Sequence, residues 1–312
     1  MIFAGLADWW INRRAHPEPE ALESVKGFAP AVVVTGASRG LGLALAQEFA
    51  NSDERPPILL VARDPDELQS AAEFLRKRTS AGVMQLSLDV TRNDAGAQIA
   101  AALAAEGCYL DVLINNAGFG LGGDFVSHDP DRVDALVELN VTALTRLTRY
   151  ALPGMLARGR GGILNVASLG GLMPGPYQAA YYASKSYVVA LTRAISAETA
   201  GQGVRICCAL PGPVETRFHS DMGANNALYR YLLPAQSPEA AARSIYRGYR
   251  LGHGLIVPGV INFAVSRIVS FFPYLLLVPV VGLLLWPGQQ RSRAGKTAGD
   301  ASNGPDGERT ND

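Results

Sequence analysis

Three residue types that could move a proton occur close together in the middle of the chain. Tyr181 and Lys185 are four positions apart in a predicted helix, so their side chains are expected to share one face. A free phenol has a pKa near ~10, but a neighbouring ammonium favours the phenolate and lowers that pKa. Ser168, at the end of the preceding predicted strand, is placed to hold a substrate oxygen near the Tyr181 hydroxyl. This pattern predicts acid–base chemistry on a carbonyl or alcohol oxygen.

Other tyrosines nearby leave a purely structural role for Tyr181 open. Tyr177, Tyr182 and Tyr187 lie in the same stretch, and tyrosine is common at half-buried helix positions. Only Tyr181 has a lysine one turn later, because Ser186 occupies that position relative to Tyr182. The tyrosine–lysine pair therefore needs support from other parts of the chain.

A glycine-rich turn near the amino terminus predicts a dinucleotide site. The valines at 32–34 form a β-branched run typical of a buried strand. Gly36, Gly40 and Gly42 follow at once, and residues 43–50 then carry an apolar helical stripe. A helix N-terminus offers unpaired N–H groups and a favourable dipole, and glycine lets a pyrophosphate approach the backbone. The alternative, an ordinary strand–helix turn, leaves the third glycine unexplained.

The second predicted strand, residues 57–62, indicates which dinucleotide is bound. In dinucleotide-binding folds this strand usually ends with an acid that binds the adenosine ribose, about 20 residues past the glycines. Here Ala62 takes that place and Arg63 follows, so a guanidinium is available for a 2′-phosphate. Arg39 offers a second positive charge, and the alternative for Arg63 is a solvated surface side chain. The pattern predicts NADP.

Asp64 is expected to cap the next helix instead of binding ribose. Pro65 follows at the first helical position and Glu67 stands at the third, which is the pattern of an N-cap with a capping-box acid.

Strands and helices alternate along the chain, which predicts an α/β fold with a doubly wound parallel sheet, a Rossmann fold of about seven strands. Helices are expected from about Asp131, which includes Asn140, and from about Gln178. Ligands of such sheets bind beyond the carboxyl ends of the strands. The remaining strands are predicted at 83–88, 110–114, 162–167, 204–210 and 254–257, and the residues at strand ends are Gly36, Arg63, Asp89, Asn115 and Ser168.

In combination, these motifs resemble the short-chain dehydrogenase/reductase family. Their order and spacing match that family over roughly residues 30–258. The matching motifs are residues 35–42, residues 115–118, Asn140, Ser168, Tyr181 with Lys185, and Pro211 with Gly212.

The resemblance implies a role for each residue at the centre of the chemistry. Tyr181 would be the general acid/base, and Lys185 would lower its pKa and bind the nicotinamide ribose. Ser168 would orient the carbonyl, and Asn140 would hold a water in a proton relay to Lys185. The implied activity is hydride transfer between nicotinamide and a carbonyl or alcohol carbon. A non-catalytic dinucleotide-binding scaffold or sensor is the alternative, although it would have no need of an acid/base pair.

The resemblance also implies NADP as the cofactor, since arginines at the positions of Arg39 and Arg63 accompany NADP in that family. Asp89 would contact the adenine ring and Thr216 the nicotinamide amide. Besides these and the Tyr181–Lys185 pair, the expected cofactor contacts are Gly36, Ser38, Gly40, Leu41, Gly42, Val90, Asn116, Ala117, Gly118, Pro211, Gly212 and Val214.

Two stretches bear on the substrate. Gly170 and Gly171, beside the reactive residues, are expected to leave room there. Residues 217–234 occupy the place of a mobile lid and are rich in apolar side chains. An apolar lid suits an apolar carbonyl or alcohol such as a lipid, steroid or terpenoid, while a helix packed on the domain is the alternative.

The two ends of the chain are predicted to lie outside the catalytic domain, 28–259. Residues 1–27 form an amphipathic segment and linker, in which residues 1–14 either contact a membrane surface or dock on the domain. The apolar segment 260–287 contains an uncharged run at 268–286, close to the ~20 residues that span a bilayer. We expect peripheral or monotopic membrane contact; a full span, a cover over the cleft and a dimer contact are alternatives. Residues 288–312 are expected to form a disordered tail.

Composition agrees with one globular enzyme domain. The 312 residues are 48% hydrophobic and 18% charged, enough for one large core. Lys plus Arg (28) balance Asp plus Glu (28), so no overall field favours nucleic acid. The three cysteines are expected to be buried thiols, and the scattered histidines do not indicate a metal site. We expect a cytoplasmic homo-oligomer without nucleic-acid partners.

Overall fold

The computed structural model describes residues 10–218, 222 and 235–286, and seven parallel strands within them form one sheet. Its order is β3-β2-β1-β4-β5-β6-β7. The predicted doubly wound sheet is confirmed, and each strand overlaps its predicted run. The strands are β1 (Ala29–Thr35), β2 (Ile58–Ala62), β3 (Val83–Ser87), β4 (Cys108–Asn115), β5 (Gly161–Val166), β6 (Val204–Ala209) and β7 (Leu255–Ile256).

Helices connect the strands and cover both faces of the sheet. A π-helical turn, Glu138–Ala143, separates two of them, and a 3₁₀ turn, Leu169–Leu172, follows β5. The helices are α1 (Pro19–Glu23), α2 (Gly40–Ala50), α3 (Pro65–Arg76), α4 (Ala95–Ala105), α5 (Pro130–Val137), α6 (Leu144–Ala157), α7 (Ala179–Glu198), α8 (Pro238–Arg250), α9 (Val260–Phe271) and α10 (Tyr274–Leu285).

The valine run of β1 shows why this sequence makes a central strand. Successive side chains of a strand point to opposite faces. Val32 and Val34 pack with α2, α3 and α8 on one face, while Val33 packs with α4 and α6 on the other. A strand buried on both faces needs continuous apolar residues, and β-branched side chains fit that pleated surface.

The order of the strands places the cleft. The chain runs outward from β1 to β3 and then returns to β4 on the other side of β1. At such a switch point the loops that follow β1 and β4 separate and leave a crevice at the carboxyl edge of the sheet. The turn at 36–42 and the loop at 116–118 are the two loops in question.

The amino-terminal segment docks at the opposite, amino edge of the sheet. The Arg14 N–H donates to the Gly201 carbonyl (2.6 Å), the Gly203 N–H to the Ile11 carbonyl (2.8 Å), and the Glu18 N–H to the Ala157 carbonyl (2.8 Å). Their partners Ala157, Gly201 and Gly203 precede β5 and β6. Of the two alternatives for residues 1–14, the described part, 10–14, follows the docked one; residues 1–9 lie outside the described residues.

The apolar run at 268–286 forms parts of two helices instead of one. Helices α9 and α10 have 12 residues each, and the chain between them is extended at Phe272 and Pro273. No helix in the described ranges has the length and apolar character needed to cross a bilayer. Proline after Phe272 removes an N–H donor and disfavours helical geometry in the preceding residue, which accounts for the break.

Three predicted features fall wholly or mostly outside the described residues. They are residues 1–9 of the amphipathic segment, residues 219–221 and 223–234 of the predicted lid, and the tail from residue 287. The three cysteines, in contrast, are described, and each is buried and free of disulfide bonds as expected.

Candidate functional site

The glycine turn is too tight for any side chain at its third glycine. A Cβ at Gly42 would overlap the Gly36 carbonyl oxygen and would lie 2.5 Å from Asn116 Nδ2. Asn116 braces the turn from the loop after β4, because its amide donates to the Thr35 and Gly36 carbonyls at 3.0 and 3.1 Å. Gly36 itself has a φ of 63°, in the left-handed region. The turn is therefore a rigid backbone surface.

The first turn of α2, residues 40–42, is part of this surface. Arg39, the N-cap residue, has an extended backbone, and its side chain makes no capping hydrogen bond. A helix N-terminus in that state can donate to an anion. A close-packed glycine backbone and a helix N-terminus together fit a pyrophosphate, so the residues present suit a dinucleotide.

One large cleft of about 2030 Å³ lies along the carboxyl edge and collects nearly all predicted site residues. Asp89 and Asn140 are the two that do not line it. Those that do are Gly36, Ser38, Arg39, Gly40, Leu41, Gly42, Arg63, Val90, Asn116, Ala117, Gly118, Ser168, Tyr181, Lys185, Pro211, Gly212, Val214 and Thr216.

The Asp89 side chain forms its hydrogen bonds within its own loop. Its carboxylate accepts from the Thr91 N–H (3.0 Å) and the Thr91 hydroxyl (2.8 Å). Burial by itself would raise the pKa of Asp89, but these hydrogen bonds and the charges of Arg63 and Arg92 lower it below the usual value. Its neighbours Leu88 and Val90 face the cleft, so the expected adenine contact by Asp89 remains a prediction.

Lys185 is the buried cation of the site. Its side chain, in a residue only 5% exposed, reaches the end of β5, where Nζ donates to the Val166 carbonyl at 2.9 Å. Nζ lies 5.9 Å from the centre of the Tyr181 ring. Burial lowers the pKa of Lys185 to about 8. The predicted sharing of one helix face is confirmed, and the pair lines the same cleft as the glycine turn.

Asn140 connects this pair to the loop after β4. It lies in the π-helical turn, where its Oδ1 accepts from the Phe119 N–H (3.1 Å) and its Nδ2 donates to the Phe119 carbonyl (2.8 Å). Nδ2 also donates to the Ser184 hydroxyl on α7 at 3.1 Å. A Cβ on Gly118 would lie 2.9 Å from Asn140 Oδ1 and 3.6 Å from Lys185 Nζ. The widened turn thus holds the Asn140 amide beside Lys185, an irregularity often found at functional sites.

The four tyrosines of the region separate clearly in the structure. Tyr187 is exposed and shares a hydrogen bond with Thr145, and Tyr177 does not line the cleft. The Tyr182 ring fills the space above Gly170 and Gly175, where a Cβ would meet it. Tyr181 is buried against Phe218 with ring centres 5.5 Å apart.

Gly170 lines the cleft as expected and Gly171 does not, and at both glycines the space that a Cβ would occupy is already filled. A Cβ on Gly170 would lie 2.9 Å from the Tyr182 ring, and one on Gly171 would lie 2.8 Å from the Lys185 carbonyl oxygen. These glycines allow α7 to approach the 3₁₀ turn closely. The Ser168 hydroxyl accepts from the Gly170 N–H at 3.2 Å, which sets the start of that turn.

Helices α9 and α10 form the apolar wall of the cleft, which agrees with the alternative of a cover over the cleft. Val265 and Val269 of α9 and Leu277, Val281 and Leu285 of α10 line it. Asn262 of α9 packs on Gly212, and Gly282 of α10 lies against Pro176. The sequence alone could not identify which side of each helix faces the cleft, since apolar residues occur on nearly every side. Of the predicted lid, Phe218 and Met222 also line the cleft.

Sequence reasoning also missed Glu67 as part of the site. Asp64 caps α3 as predicted, accepting from the Asp66 and Glu67 N–H groups. The Glu67 carboxylate does not complete a capping box; it accepts from the Ser38 hydroxyl and the Arg39 guanidinium, each at 3.2 Å. Glu67 is 28 positions from Arg39 in the chain, so the sequence alone does not predict this contact.

Comparison with known proteins agrees with the fold. A family model described as "short chain dehydrogenase" matches residues 30–227. A curated relative from Schizosaccharomyces pombe, NADP-dependent 3-hydroxy acid dehydrogenase, is 32% identical over 69% of this chain and 84% of its own length. A human relative, very-long-chain 3-oxoacyl-CoA reductase, is 24% identical over 89% of this chain and 85% of its own length.

Among solved structures, a short-chain dehydrogenase from Sphingobium yanoikuyae in complex with NADPH is similar in fold, with a TM-score of 0.66 and 28% identity. The similarity covers 78% of this chain and 96% of that chain.

Proposed function

The chain belongs to the short-chain dehydrogenase family, and we propose that it is an NADP(H)-dependent oxidoreductase acting on an apolar carbonyl or alcohol. The observation that carries the proposal is that Tyr181 and the buried cation of Lys185 lie in one cleft with the glycine turn. Bound NADP(H) supplies or accepts the hydride. A cleft that only sensed the dinucleotide would not require these two side chains.

In the proposed reaction Tyr181 transfers the proton at the substrate oxygen, giving it during reduction and taking it during oxidation. The positive charge of Lys185 favours the Tyr181 phenolate and lowers the pKa of that phenol. Ser168 orients the substrate oxygen from the end of β5. Asn140 holds a water in a proton relay to Lys185. Proton transfer by a positioned group of this kind contributes on the order of 10²–10⁴ in rate.

NADP(H) is favoured over NAD(H) by the residues at the end of β2. Arg63 and Arg39 both line the cleft there, and no acid ends the strand. A guanidinium can pair with a 2′-phosphate through two parallel hydrogen bonds. The curated relative from fission yeast and the bound NADPH of the similar bacterial structure support the same assignment.

The substrate class follows from the apolar wall that lines the same cleft as Tyr181. Helices α9 and α10 present branched aliphatic side chains to the cleft, and among residues 260–286 Arg267 is the single charged side chain. Apolar surface of this kind binds apolar groups by removing both from water. The name of the human relative specifies a very long acyl chain with a 3-oxo group, which supports an extended apolar substrate.

The test is a panel of long-chain and short polar ketones, aldehydes and alcohols, followed by nicotinamide absorbance with both dinucleotides. Turnover of long-chain substrates with NADP(H) is expected. Tight dinucleotide binding without turnover of any member would favour the non-catalytic alternative, and preference for short polar substrates would contradict the apolar class.

We further propose that the outer face of α9 and α10 rests on a lipid bilayer. This outer face consists of exposed apolar and aromatic residues on the reverse of the cleft wall, Val260, Ile261, Phe263, Ile268, Phe271, Phe272, Tyr274, Leu275, Leu276, Leu283 and Trp286. Monomeric soluble proteins rarely expose apolar surface of this extent. No acid interrupts the segment, and Arg267 suits anionic headgroups. An apolar substrate could then enter the cleft from the lipid.

The described part of the amino-terminal segment lies at the other edge of the sheet. Residues 10–14 dock at the amino edge of the sheet, whereas α9 and α10 lie at the carboxyl edge beside Gly212. The proposed contact therefore rests on the exposed residues of α9 and α10.

Vesicle sedimentation of the full chain tests this contact, with phosphatidylcholine vesicles containing phosphatidylglycerol. The wild type is expected to sediment with the vesicles. The double variant Leu275→Glu, Leu276→Glu is expected to bind them at least roughly tenfold more weakly, since each substitution removes apolar area that the contact would bury. Leu22→Glu places the same change on an exposed leucine of α1, outside the contact. A wild type that is a soluble dimer and does not bind vesicles would instead indicate that the outer face contacts a second copy of the chain.

A further inference from the structure

The carboxylate of Glu67 lies in the part of the cleft where the two arginines were expected to receive a 2′-phosphate. Oε2 accepts from the Ser38 hydroxyl and Oε1 from Arg39 Nη1, each at 3.2 Å. Arg39 and Glu67 both line the cleft with Arg63. Strand β2 does not end with an acid, but Glu67 in the first turn of α3 supplies a carboxylate to the same part of the cleft.

This arrangement affects the two dinucleotides in opposite ways. A 2′-phosphate is an anion that must share Arg39 and Ser38 with the Glu67 carboxylate or displace it, and like charges close together are unfavourable. The ribose of NAD(H) carries a 2′-hydroxyl at the same position, which can donate to a carboxylate. A neutral amide at position 67 would remove the repulsion toward the phosphate.

We propose that Glu67 is a specificity-determining residue that limits the preference for NADP(H) over NAD(H). The inference rests on the proposed NADP(H) binding, and it concerns the adenosine end of the cleft, away from Tyr181. By engaging Ser38 and Arg39, Glu67 keeps the cationic pocket partly neutralised and keeps the site open to both dinucleotides.

The variant Glu67→Gln keeps the size of the side chain and removes its charge. The side chains of Glu67 and Arg39 are 39% and 51% exposed, so solvent screens the interaction and the expected change is moderate. We expect NADPH to bind roughly three- to tenfold more tightly in 50 mM salt, from one charge acting on a dianion at several ångströms. NADH should bind equally or more weakly, and the difference should shrink in 0.5 M salt.

The matched control is Glu73→Gln on the same helix. Glu73 accepts a hydrogen bond from Gln69 at 2.7 Å and does not line the cleft, so the net charge changes equally while the pocket does not. It should leave the ratio of the two dissociation constants unchanged. Calorimetric titration with NADPH, NADH, 2′,5′-ADP and 5′-AMP measures binding without turnover, and the two mononucleotides report the adenosine end alone.

The outcomes are distinct. A rise in the NADPH preference of Glu67→Gln, matched by tighter 2′,5′-ADP and by unchanged or weaker 5′-AMP, supports the proposal. An unchanged ratio overturns it, and weaker NADPH binding overturns it by showing that Glu67 serves to position Arg39. Failure of the wild type to bind either dinucleotide would overturn the proposed cofactor as well.

Discussion

The two long walls of the cleft are built in different ways. The wall formed by β1, the glycine turn and α2 presents main-chain groups in a fixed position, where one added methyl group would overlap the Gly36 carbonyl. The wall formed by α9 and α10 presents interchangeable aliphatic side chains and contains no ordered array of polar donors toward the cleft. The first wall suits a ligand of constant shape, and the second suits a class of ligands that share only apolar character.

This difference has a consequence for substitution. Changes in the backbone wall should act on dinucleotide binding and should have large effects, because a rigid backbone cannot move aside. Changes in the apolar wall should act on the substrate and should be graded, because neighbouring side chains can repack. Between the walls, Tyr181 and Lys185 should affect the chemistry itself.

The largest effect is expected at the residue between the walls. Tyr181→Phe keeps the ring packed against Phe218 and removes the hydroxyl, so kcat should fall by on the order of 10³ while the dissociation constant of NADPH stays nearly unchanged. Tyr182→Phe, the matched control, should reduce kcat by less than about threefold. Similar losses in both variants would show that Tyr181 is not the acid.

The next effect concerns the rigidity of the backbone wall. Gly42→Ala places a methyl group against the Gly36 carbonyl and Asn116, and overpacking of about 2–3 kcal/mol should weaken NADPH binding on the order of a hundredfold. In Gly82→Ala the new Cβ would meet its nearest atom at 3.8 Å, and binding should not change. Calorimetric titration checks both, and equal affinity of Gly42→Ala and wild type would show that the turn can move.

A third effect concerns the stability cost of keeping Lys185 charged. Burial lowers the pKa of Lys185 from 10.5 to about 8, which corresponds to a penalty of about 3 kcal/mol on the folded state. Lys185→Met removes this penalty, but it also loses the hydrogen bond to the Val166 carbonyl, which contributes about 1 kcal/mol. The variant should therefore gain about 2 kcal/mol of unfolding free energy at pH 7 without cofactor.

The sign of this effect depends on pH. Below pH 8 the lysine is charged in both the folded and unfolded states, so the burial penalty is fully present; it is relieved as pH rises from about 8 toward 10.5. Urea unfolding should show the gain at pH 7 and its loss by pH 10.5. Lys26→Met, at a side chain 73% exposed, is the control. A gain independent of pH would contradict the charge explanation.

The smallest effect is expected in the apolar wall. Val281→Ser changes a cleft-lining side chain that is 4% exposed and should raise KM for a long-chain substrate roughly tenfold, with little change in kcat or NADPH binding. Leu283→Ser, two positions away on the outer face and 63% exposed, should leave KM in detergent unchanged. Equal effects of both variants would remove the distinction between the inner and outer faces of α10.

Much of the backbone wall could be predicted from the sequence because its parts are close together in the chain. A strand, three glycines and a helix N-terminus form one continuous segment, and local geometry alone brings them together. The pairing of Tyr181 with Lys185 is similarly local, since the helix fixes which side chains share a face. Strand ends could be assigned to the ligand edge because all strands of a parallel sheet point the same way.

Contacts between distant segments were decided only by the tertiary structure. Glu67 reaches Arg39 because α2 and α3 pack on the same face of the sheet, and the space beside Gly170 is filled by Tyr182 because α7 approaches the 3₁₀ turn. The sequence of 260–286 carries apolar residues on nearly every side, so it determines that the segment must be covered. Which side covers the cleft and which faces outward depends on packing against Gly212 and Pro176, because apolar attraction has no direction of its own.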